Sequence, residues 1–283
     1  VPVATKHLDI NDKTALITGG SSGIGLAIAK QFVKCGGSVI LIARGENKLN
    51  QAAEILKPLC SLRTQTIEVV PLDVTDLEAL TEKLTPYLDL ERLPNFIFNS
   101  AGMSRPGYVE EIPLDVFKTT MDLNYHGTVN IVKHFLPALL DRGSGAIVNI
   151  SSMAGVIGVF GYTAYSGSKF AVRGFSDALR CELKPKGIQV TIVYPPDTDT
   201  PQLAWEAQYK PYETHVIAGS DKAISADEVA AEILSGVLVR KSQVIPGSEA
   251  KFLHWAATHM GGLIYPIMDF LVSNARKKKA SRK

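Results

Sequence analysis

Hydrophobic positions along this chain fall into short unbroken runs, separated by longer stretches in which they recur every three or four residues. Thr14-Ala15-Leu16-Ile17-Thr18 is the first run, and it ends at glycines, as a buried strand does. Ser38 to Ala43, Thr66 to Pro71, Phe96 to Phe98, Ala146 to Ile150 and Gln189 to Tyr194 are further runs, and Gln243 to Ile245 is a shorter seventh. Between them Leu26 to Cys35, Glu46 to Leu59, Leu77 to Leu84, Leu114 to Leu140 and Ala164 to Leu183 read as helices, with Gly36-Gly37 and Pro58 as stop signals. Strands that are apolar throughout are buried on both faces. Alternating with helices, they predict a doubly wound α/β fold around a parallel sheet. Ligands of such sheets bind beyond the strand C-termini. No repeat or low-complexity linker interrupts the pattern, so one domain is expected over residues 1–247 and an extension over 248–283.

Composition adds a few limits. With 283 residues and 46% hydrophobic content the chain reads as globular. A net charge of +2 gives no overall signal for nucleic acid. The positive charge gathers at the end, however: Arg276, Lys277, Lys278, Lys279, Arg282 and Lys283 crowd the last eight residues, with no acid among them. Cys35, Cys60 and Cys181 are far apart and form no CxxC, which fits reduced thiols and offers no metal site. The start of the chain shows no apolar stretch of the kind found in a secretory leader.

Two stretches about 140 residues apart carry chemistry. Thr18-Gly19-Gly20-Ser21-Ser22-Gly23-Ile24-Gly25 lies between the first strand and the first helix. Glycines there let the backbone turn tightly and approach a pyrophosphate, and the free N–H groups and positive dipole end of the helix face that anion. Gly19, Ser21, Ser22, Gly23, Ile24 and Gly25 are the expected contacts, the serines adding hydroxyl donors. Arg44 ends the second strand, where an acid would grip a ribose 2′-hydroxyl and an arginine instead suits a 2′-phosphate. Lys48 follows one turn later. The pair favours NADPH/NADP+ over the unphosphorylated dinucleotide. Asp73, with Val74 beside it, ends the third strand; it could accept from the adenine amine or cap the next helix.

The second stretch is Tyr165-Ser166-Gly167-Ser168-Lys169, with Ser151-Ser152 upstream. Tyr165 and Lys169 are four apart on a helix and share a face. A nearby ammonium is expected to stabilise the phenolate and lower the tyrosine pKa, which makes Tyr165 a general acid for a carbonyl or a base for an alcohol. Ser152 can hydrogen-bond the same oxygen as charge develops; alternation turns Ser151 away. Asn124 lies in a helix and could hold a water relaying protons to Lys169.

With these residues in view, the chain resembles the short-chain dehydrogenase/reductase family. TGGSSGIG is similar to its TGxxxGxG, Asn99-Ser100-Ala101-Gly102 to its NNAG with one change, and Asn124, Ser152, Tyr165 and Lys169 to its catalytic tetrad. The resemblance covers about residues 10–247. It implies hydride transfer from nicotinamide C4, a second role for Lys169 on the nicotinamide ribose, cofactor contacts at Asn99 and Ala101, and homo-oligomers. A narrower resemblance, to the 3-ketodihydrosphingosine reductases within that family, rests on Tyr194-Pro195-Pro196-Asp197-Thr198-Asp199-Thr200-Pro201, on Phe160 to Tyr165 and on Phe170 to Gly174. It implies NADPH-dependent reduction of 3-ketosphinganine, a lipid-like ketone. Pro195, Thr198 and Thr200 are then expected at the nicotinamide, with a Thr or Asp of the segment near the carboxamide or a substrate amine. Other apolar ketones are the alternative substrates, and a non-catalytic NADP sensor is a remoter reading that needs neither Tyr165 nor Lys169.

A lid is expected over about 197–222, with Trp205, Tyr209 and Tyr212 facing either a lipid chain or the lid's own core. Phe252 to Val272 is apolar but carries Gly261-Gly262 and Pro266, which argues against a clean membrane span. Trp255, Tyr265 and the basic end suit a monotopic anchor on the cytoplasmic side of a membrane. His254 and His259 read as packing residues.

Overall fold

The computed structural model describes residues 9–218 and 223–281. The first eight residues, the last four of the expected lid, and Arg282 and Lys283 of the basic end lie outside the described residues. The strands are β1 (Thr14–Thr18), β2 (Ser38–Ala43), β3 (Ile67–Pro71), β4 (Phe96–Asn99), β5 (Gly145–Ile150) and β6 (Ile188–Val193), then the two-residue β7 (Thr198–Asp199), β8 (Ile224–Ser225) and β9 (Gln243–Val244). The helices are α1 (Gly23–Lys34), α2 (Glu46–Leu56), α3 (Leu77–Leu84), α4 (Leu114–Met121), α5 (Gly127–Arg142), α6 (Thr163–Leu183), α7 (Pro201–Glu206), α8 (Tyr212–Ala218), α9 (Ala226–Leu238), α10 (Ser248–His259) and α11 (Ile264–Ala280).

Seven strands form one parallel sheet in the order β3-β2-β1-β4-β5-β6-β9, and β7 pairs with β8 apart from it. The expected doubly wound fold is therefore present. Period-two alternation within each strand sorts its side chains between two cores. Ala15 and Ile17 face Ile28 and Phe32 of α1 and Val229, Ile233 and Val237 of α9, while Leu16 between them faces Ile131 and Phe135 of α5 and Leu179 and Leu183 of α6. Burial of each such side chain stabilises the fold by about 1.5–3 kcal/mol. The chain order reverses between β1 and β4, which opens a crevice at their C-terminal ends.

Three boundaries differ from the sequence expectation. Helix α1 begins at Gly23, three residues before the apolar period starts, so the glycine loop runs directly into its first turn. Pro58 ends α2 at Leu56, and a short 3₁₀ turn follows. The expected helix over 114–140 is interrupted by a π turn at Asp122–His126, whose inserted residue shifts Asn124 relative to a regular helix.

The C-terminal extension packs against the domain. Tyr194 of the β6 end lies against His254 of α10 with ring centroids 5.3 Å apart, and Lys251 reaches Glu232 of α9 at 2.7 Å. Helix α11 lies along α8, where Arg276 and Lys279 flank the buried Glu213 at 3.8 and 3.9 Å. Among the described residues no helix is long and apolar enough to cross a membrane.

Candidate active site

A cleft of about 890 Å³ runs across the C-terminal ends of the strands, from Arg44 and Lys48 at one end to Asp197 and Glu206 at the other. Its first half is built by the glycine loop. Gly19 holds φ at +67°, a conformation that L side chains rarely adopt, and a β-carbon on Gly25 would overlap the Gly19 carbonyl oxygen. Ser22 caps α1 with extended backbone but spends no side-chain hydrogen bond on the cap. The first turn of a 12-residue helix and a free hydroxyl therefore face the cleft. An anionic pyrophosphate fits there: the bare backbone gives it room and the helix end gives it donors.

Arg44 is largely exposed, and its Nη1 lies 3.9 Å from Oδ2 of Asp73. An ion pair that long and that exposed holds the guanidinium weakly and leaves it open to a phosphate. Asp73 is not the helix cap. Its Oδ1 accepts from the Thr75 backbone N–H and hydroxyl at 3.0 and 2.7 Å, while Asp76 caps α3 by accepting from Ala79. Val74 lines the cleft, and its carbonyl accepts from Asn130 Nδ2 at 3.0 Å.

Asn99 uses its side chain away from the cleft. It ends β4 but does not line the cleft; it is buried, and its Nδ2 donates to Asn149 Oδ1 at 2.8 Å. Asn149 in turn donates to the Ser176 hydroxyl at 2.9 Å, so a polar chain ties β4 and β5 to α6 under the cleft floor. Ala101 does line it. The Thr18 hydroxyl holds the β4 exit in place, accepting from the Ser100 and Ala101 N–H groups at 3.0 Å each. Thr18 was read only as part of the motif; its position at the strand end opposite Asn99 was the available signal.

The second half is built from the β5 exit and α6. Ser151 borders the cleft too, but its hydroxyl is spent on the Lys169 carbonyl at 3.0 Å. Ser152, Tyr165 and Lys169 all line the cleft. The Ser152 hydroxyl accepts from the Ala154 N–H at 3.1 Å and interacts with the Tyr165 phenol. Lys169 Nζ donates to the Ile150 carbonyl at 2.9 Å and stands 5.5 Å from the centre of the Tyr165 ring. Asn124 does not line the cleft. Its amide accepts from Met103 N–H at 2.8 Å and donates to the Met103 carbonyl and the Ser168 hydroxyl, both at 2.9 Å, which fixes the loop after β4 against α6. Its side chain thus braces the site in the resting protein.

In the resting site Lys169 stands close enough to stabilise a phenolate, and burial acts against it. Burial and the charge of Glu206 push the Tyr165 pKa up, against a smaller downward pull from Ser152. Burial lowers Lys169 to about 8. At neutral pH the resting site therefore holds a protonated phenol beside an ammonium that gives up its proton more readily than an ordinary lysine.

The segment after β6 closes the cleft. Thr198 donates to the Pro196 carbonyl at 2.9 Å, Pro195 accepts from the Met153 N–H at 3.0 Å, and Thr200 caps α7. All three line the cleft. Pairing of β7 with β8 ties the base of the excursion together. Trp205 and Tyr209 pack against each other with tilted rings 4.8 Å apart, with Arg105 over Tyr209, and neither they nor Tyr212 line the cleft. Glu206 and Tyr162 do, and the sequence reading gave neither a role. Tyr162 lies within a quoted motif, whereas nothing local distinguishes Glu206 from a surface acid at a helix end.

The short chain dehydrogenase family model matches residues 13–209. A 3-dehydrosphinganine reductase of Danio rerio is 39% identical over 229 residues, covering 81% of this chain and 69% of its own. A 3-ketodihydrosphingosine reductase of Bos taurus is 36% identical over 252 residues, covering 89% and 76%. Among solved structures, a short-chain dehydrogenase from Sphingobium yanoikuyae in complex with NADPH is 26% identical with a TM-score of 0.74, over 88% of this chain and 94% of that one. A match that takes in the glycine loop, the Tyr165–Lys169 helix and the β6 exit, shared with relatives more than a third identical, settles the larger group: the chain belongs to the short chain dehydrogenase family.

Proposed function

We propose that this protein is an NADPH-dependent ketoreductase that reduces 3-ketosphinganine to sphinganine. The observation that carries the reading is the convergence of Ser152, Tyr165 and Lys169 on the cleft whose far end holds the glycine loop and Arg44. Relatives named for this reaction, similar over most of the chain, support the substrate.

The residues fit the dinucleotide. The glycine loop and Ser22 receive the pyrophosphate, Arg44 and Lys48 the 2′-phosphate, Asp73 and Val74 the adenine, and Ala101, Pro195, Thr198 and Thr200 the nicotinamide half. Bound there, the cofactor supplies hydride from its nicotinamide. Ser152 hydrogen-bonds the ketone oxygen and holds it at the phenol of Tyr165. Tyr165, kept protonated by its raised pKa, donates the proton as the oxygen gains charge, a contribution of about 10²- to 10⁴-fold. Lys169 offsets negative charge on the phenolate and binds the ribose, and Asn124 braces the wall through which a water relay can resupply the proton. The segment over about 197–222 serves as the lid.

The C-terminal helices expose Phe252, Trp255, Leu263, Tyr265 and Phe270. That apolar face suits the surface of a membrane on its cytoplasmic side, beside the lid, where a two-phase substrate would enter. The basic contribution is smaller than the sequence suggested, because Arg276 and Lys279 are engaged with Glu213. A homo-oligomer is part of the same proposal and is read by light scattering of the purified protein.

The test is NADPH oxidation in detergent micelles with 3-ketosphinganine, set beside steroid, retinoid and 3-ketoacyl ketones. Turnover of 3-ketosphinganine well above the others supports the reading. Preferred turnover of another ketone moves the substrate, and NADPH binding with no turnover on any ketone leaves a sensor.

A further inference from the structure

Glu206 is 7% exposed, yet it sits on the wall of the catalytic cleft. Its Oε2 accepts from the Tyr162 hydroxyl and its Oε1 from Gln202 Nε2, both at 2.8 Å. The Tyr162 ring lies 5.9 Å from the Tyr165 ring, so this carboxylate stands next to the proton donor. Among the described residues no basic group lies within ion-pair distance of it. Lys210, largely buried and 6.0 Å from the Tyr162 ring centre, pairs with Asp197 at 3.5 Å, and its charge also favours ionised Glu206, so one ammonium serves two carboxylates. Asp197 lines the same end.

Two carboxylates that share one ammonium beyond hydrogen-bond reach of Glu206 remain under-compensated, and burial pushes the Glu206 carboxyl above its usual range. The hydrogen bonds from Tyr162 and Gln202 could be accepted by a neutral amide, so they do not require a charge. Nor does the reduction of a ketone require it: an anion beside Tyr165 opposes the phenolate, and the cofactor brings further negative charge. The charge becomes favourable once a cation arrives from the substrate side. In a 2-amino ketone the ammonium sits one carbon from the carbonyl. A carbonyl held at Tyr165 therefore carries its ammonium into the neighbourhood of Glu206.

We propose that Glu206, assisted by Asp197, is the specificity residue that receives the ammonium of a 2-amino ketone, so that the cleft selects amino ketones over neutral ketones of equal length. This rests on the ketoreductase reading above and adds the group that recognises the amine.

The experiment compares kcat/KM for 3-ketosphinganine with that for 1-hydroxyoctadecan-3-one, the same ketone without the amine, in wild type, Glu206→Gln and Glu206→Asp. Wild type should prefer the amino ketone, and Glu206→Gln should lower that preference by about tenfold to a hundredfold, the worth of a charged hydrogen bond. Glu206→Asp keeps the charge and should retain most of the preference. An unchanged preference in Glu206→Gln overturns the proposal, as does a parallel fall of both substrates with the ratio intact. Wild type supplies a check independent of any variant: hexadecylamine should compete with 3-ketosphinganine far more strongly than hexadecanol, and equal competition overturns the proposal. Should wild type reduce the neutral ketone and leave 3-ketosphinganine untouched, the substrate reading itself fails, a result distinct from loss of preference in the variants.

Discussion

The two ends of the cleft are built by different means. The nucleotide end is made largely of backbone: a glycine loop, a helix N-terminus and strand exits, with Arg44 and Lys48 beside Glu46 and Asp73 at its rim. The substrate end is made of side chains brought from far apart: Tyr162 and Tyr165 from α6, Asp197 from the β6 exit and Glu206 from α7. The first end offers a helix N-terminus, Arg44 and Lys48 to phosphates; the second offers the carboxylates of Asp197 and Glu206 to a cation. A backbone site tolerates little change in shape, whereas a side-chain site can be retuned one residue at a time. The shared cofactor and the particular substrate of such an enzyme are thus handled by separate parts of one cleft.

The largest expected effect breaks the chemistry where the two ends meet. Tyr165→Phe removes the phenolic proton and should lower kcat by about 10²- to 10⁴-fold. NADPH affinity, measured by nicotinamide fluorescence, should change little, since the glycine loop is untouched. Gly25→Ala attacks the backbone end. Its β-carbon overlaps the Gly19 carbonyl, so the loop must shift; stability should fall by about 1–3 kcal/mol in urea denaturation, with weaker NADPH binding. Arg44→Glu leaves the backbone intact and changes one charge. The ratio of kcat/KM for NADPH over NADH should fall by about tenfold to a hundredfold, with kcat on the better cofactor largely kept.

Lys169 gives a smaller effect with a defined sign. Burial lowers its pKa to about 8 from 10.5, so the unfolded chain holds the proton more tightly than the folded one. The charged lysine therefore costs stability below about pH 8, and that cost disappears as pH rises from about 8 towards 10.5. Wild type should gain stability relative to Lys169→Met across that window in denaturant titrations, while kcat/KM of wild type falls as the ammonium is lost. The smallest effect concerns the C-terminal helices. The double variant Trp255→Ser and Phe270→Ser should leave activity on a short soluble ketone intact and reduce co-sedimentation with anionic vesicles; undiminished co-sedimentation would remove those helices from the membrane proposal.

The same contrast explains what was legible in the sequence. Strand positions, glycine loop and the Tyr165–Lys169 pair are local: apolar runs mark the strands, and tight turns demand glycine whatever surrounds them. Asp76 rather than Asp73 caps α3, because a cap is decided by where the helix begins, and periodicity locates that only to within a turn. Asn99 is expected at the cofactor and Asn124 at a relay water; in the resting structure their amides tie β4 to β5 and the β4 exit to α6. The sequence shows that an amide stands at a strand end, not which face it takes. The influences on Tyr165 divide in the same way. A lysine one turn away is visible in the sequence, whereas a glutamate 41 positions on, folded back by the lid, is not. The 248–283 extension has an apolar content that fits a buried helix as well as an interfacial one, and the structure shows both: Ala250, Ala256 and Ala275 inward, Phe252, Trp255 and Phe270 outward.

The central claim is that this cleft carries hydride from a 2′-phosphorylated nicotinamide to the ketone of 3-ketosphinganine. The most direct measurement supplies NADPH deuterated at nicotinamide C4 together with 3-ketosphinganine in micelles and follows the product by mass spectrometry. The account predicts sphinganine with one deuterium on the carbinol carbon, formed by wild type and not by Tyr165→Phe. Tight NADPH binding with no labelled sphinganine from wild type would contradict it.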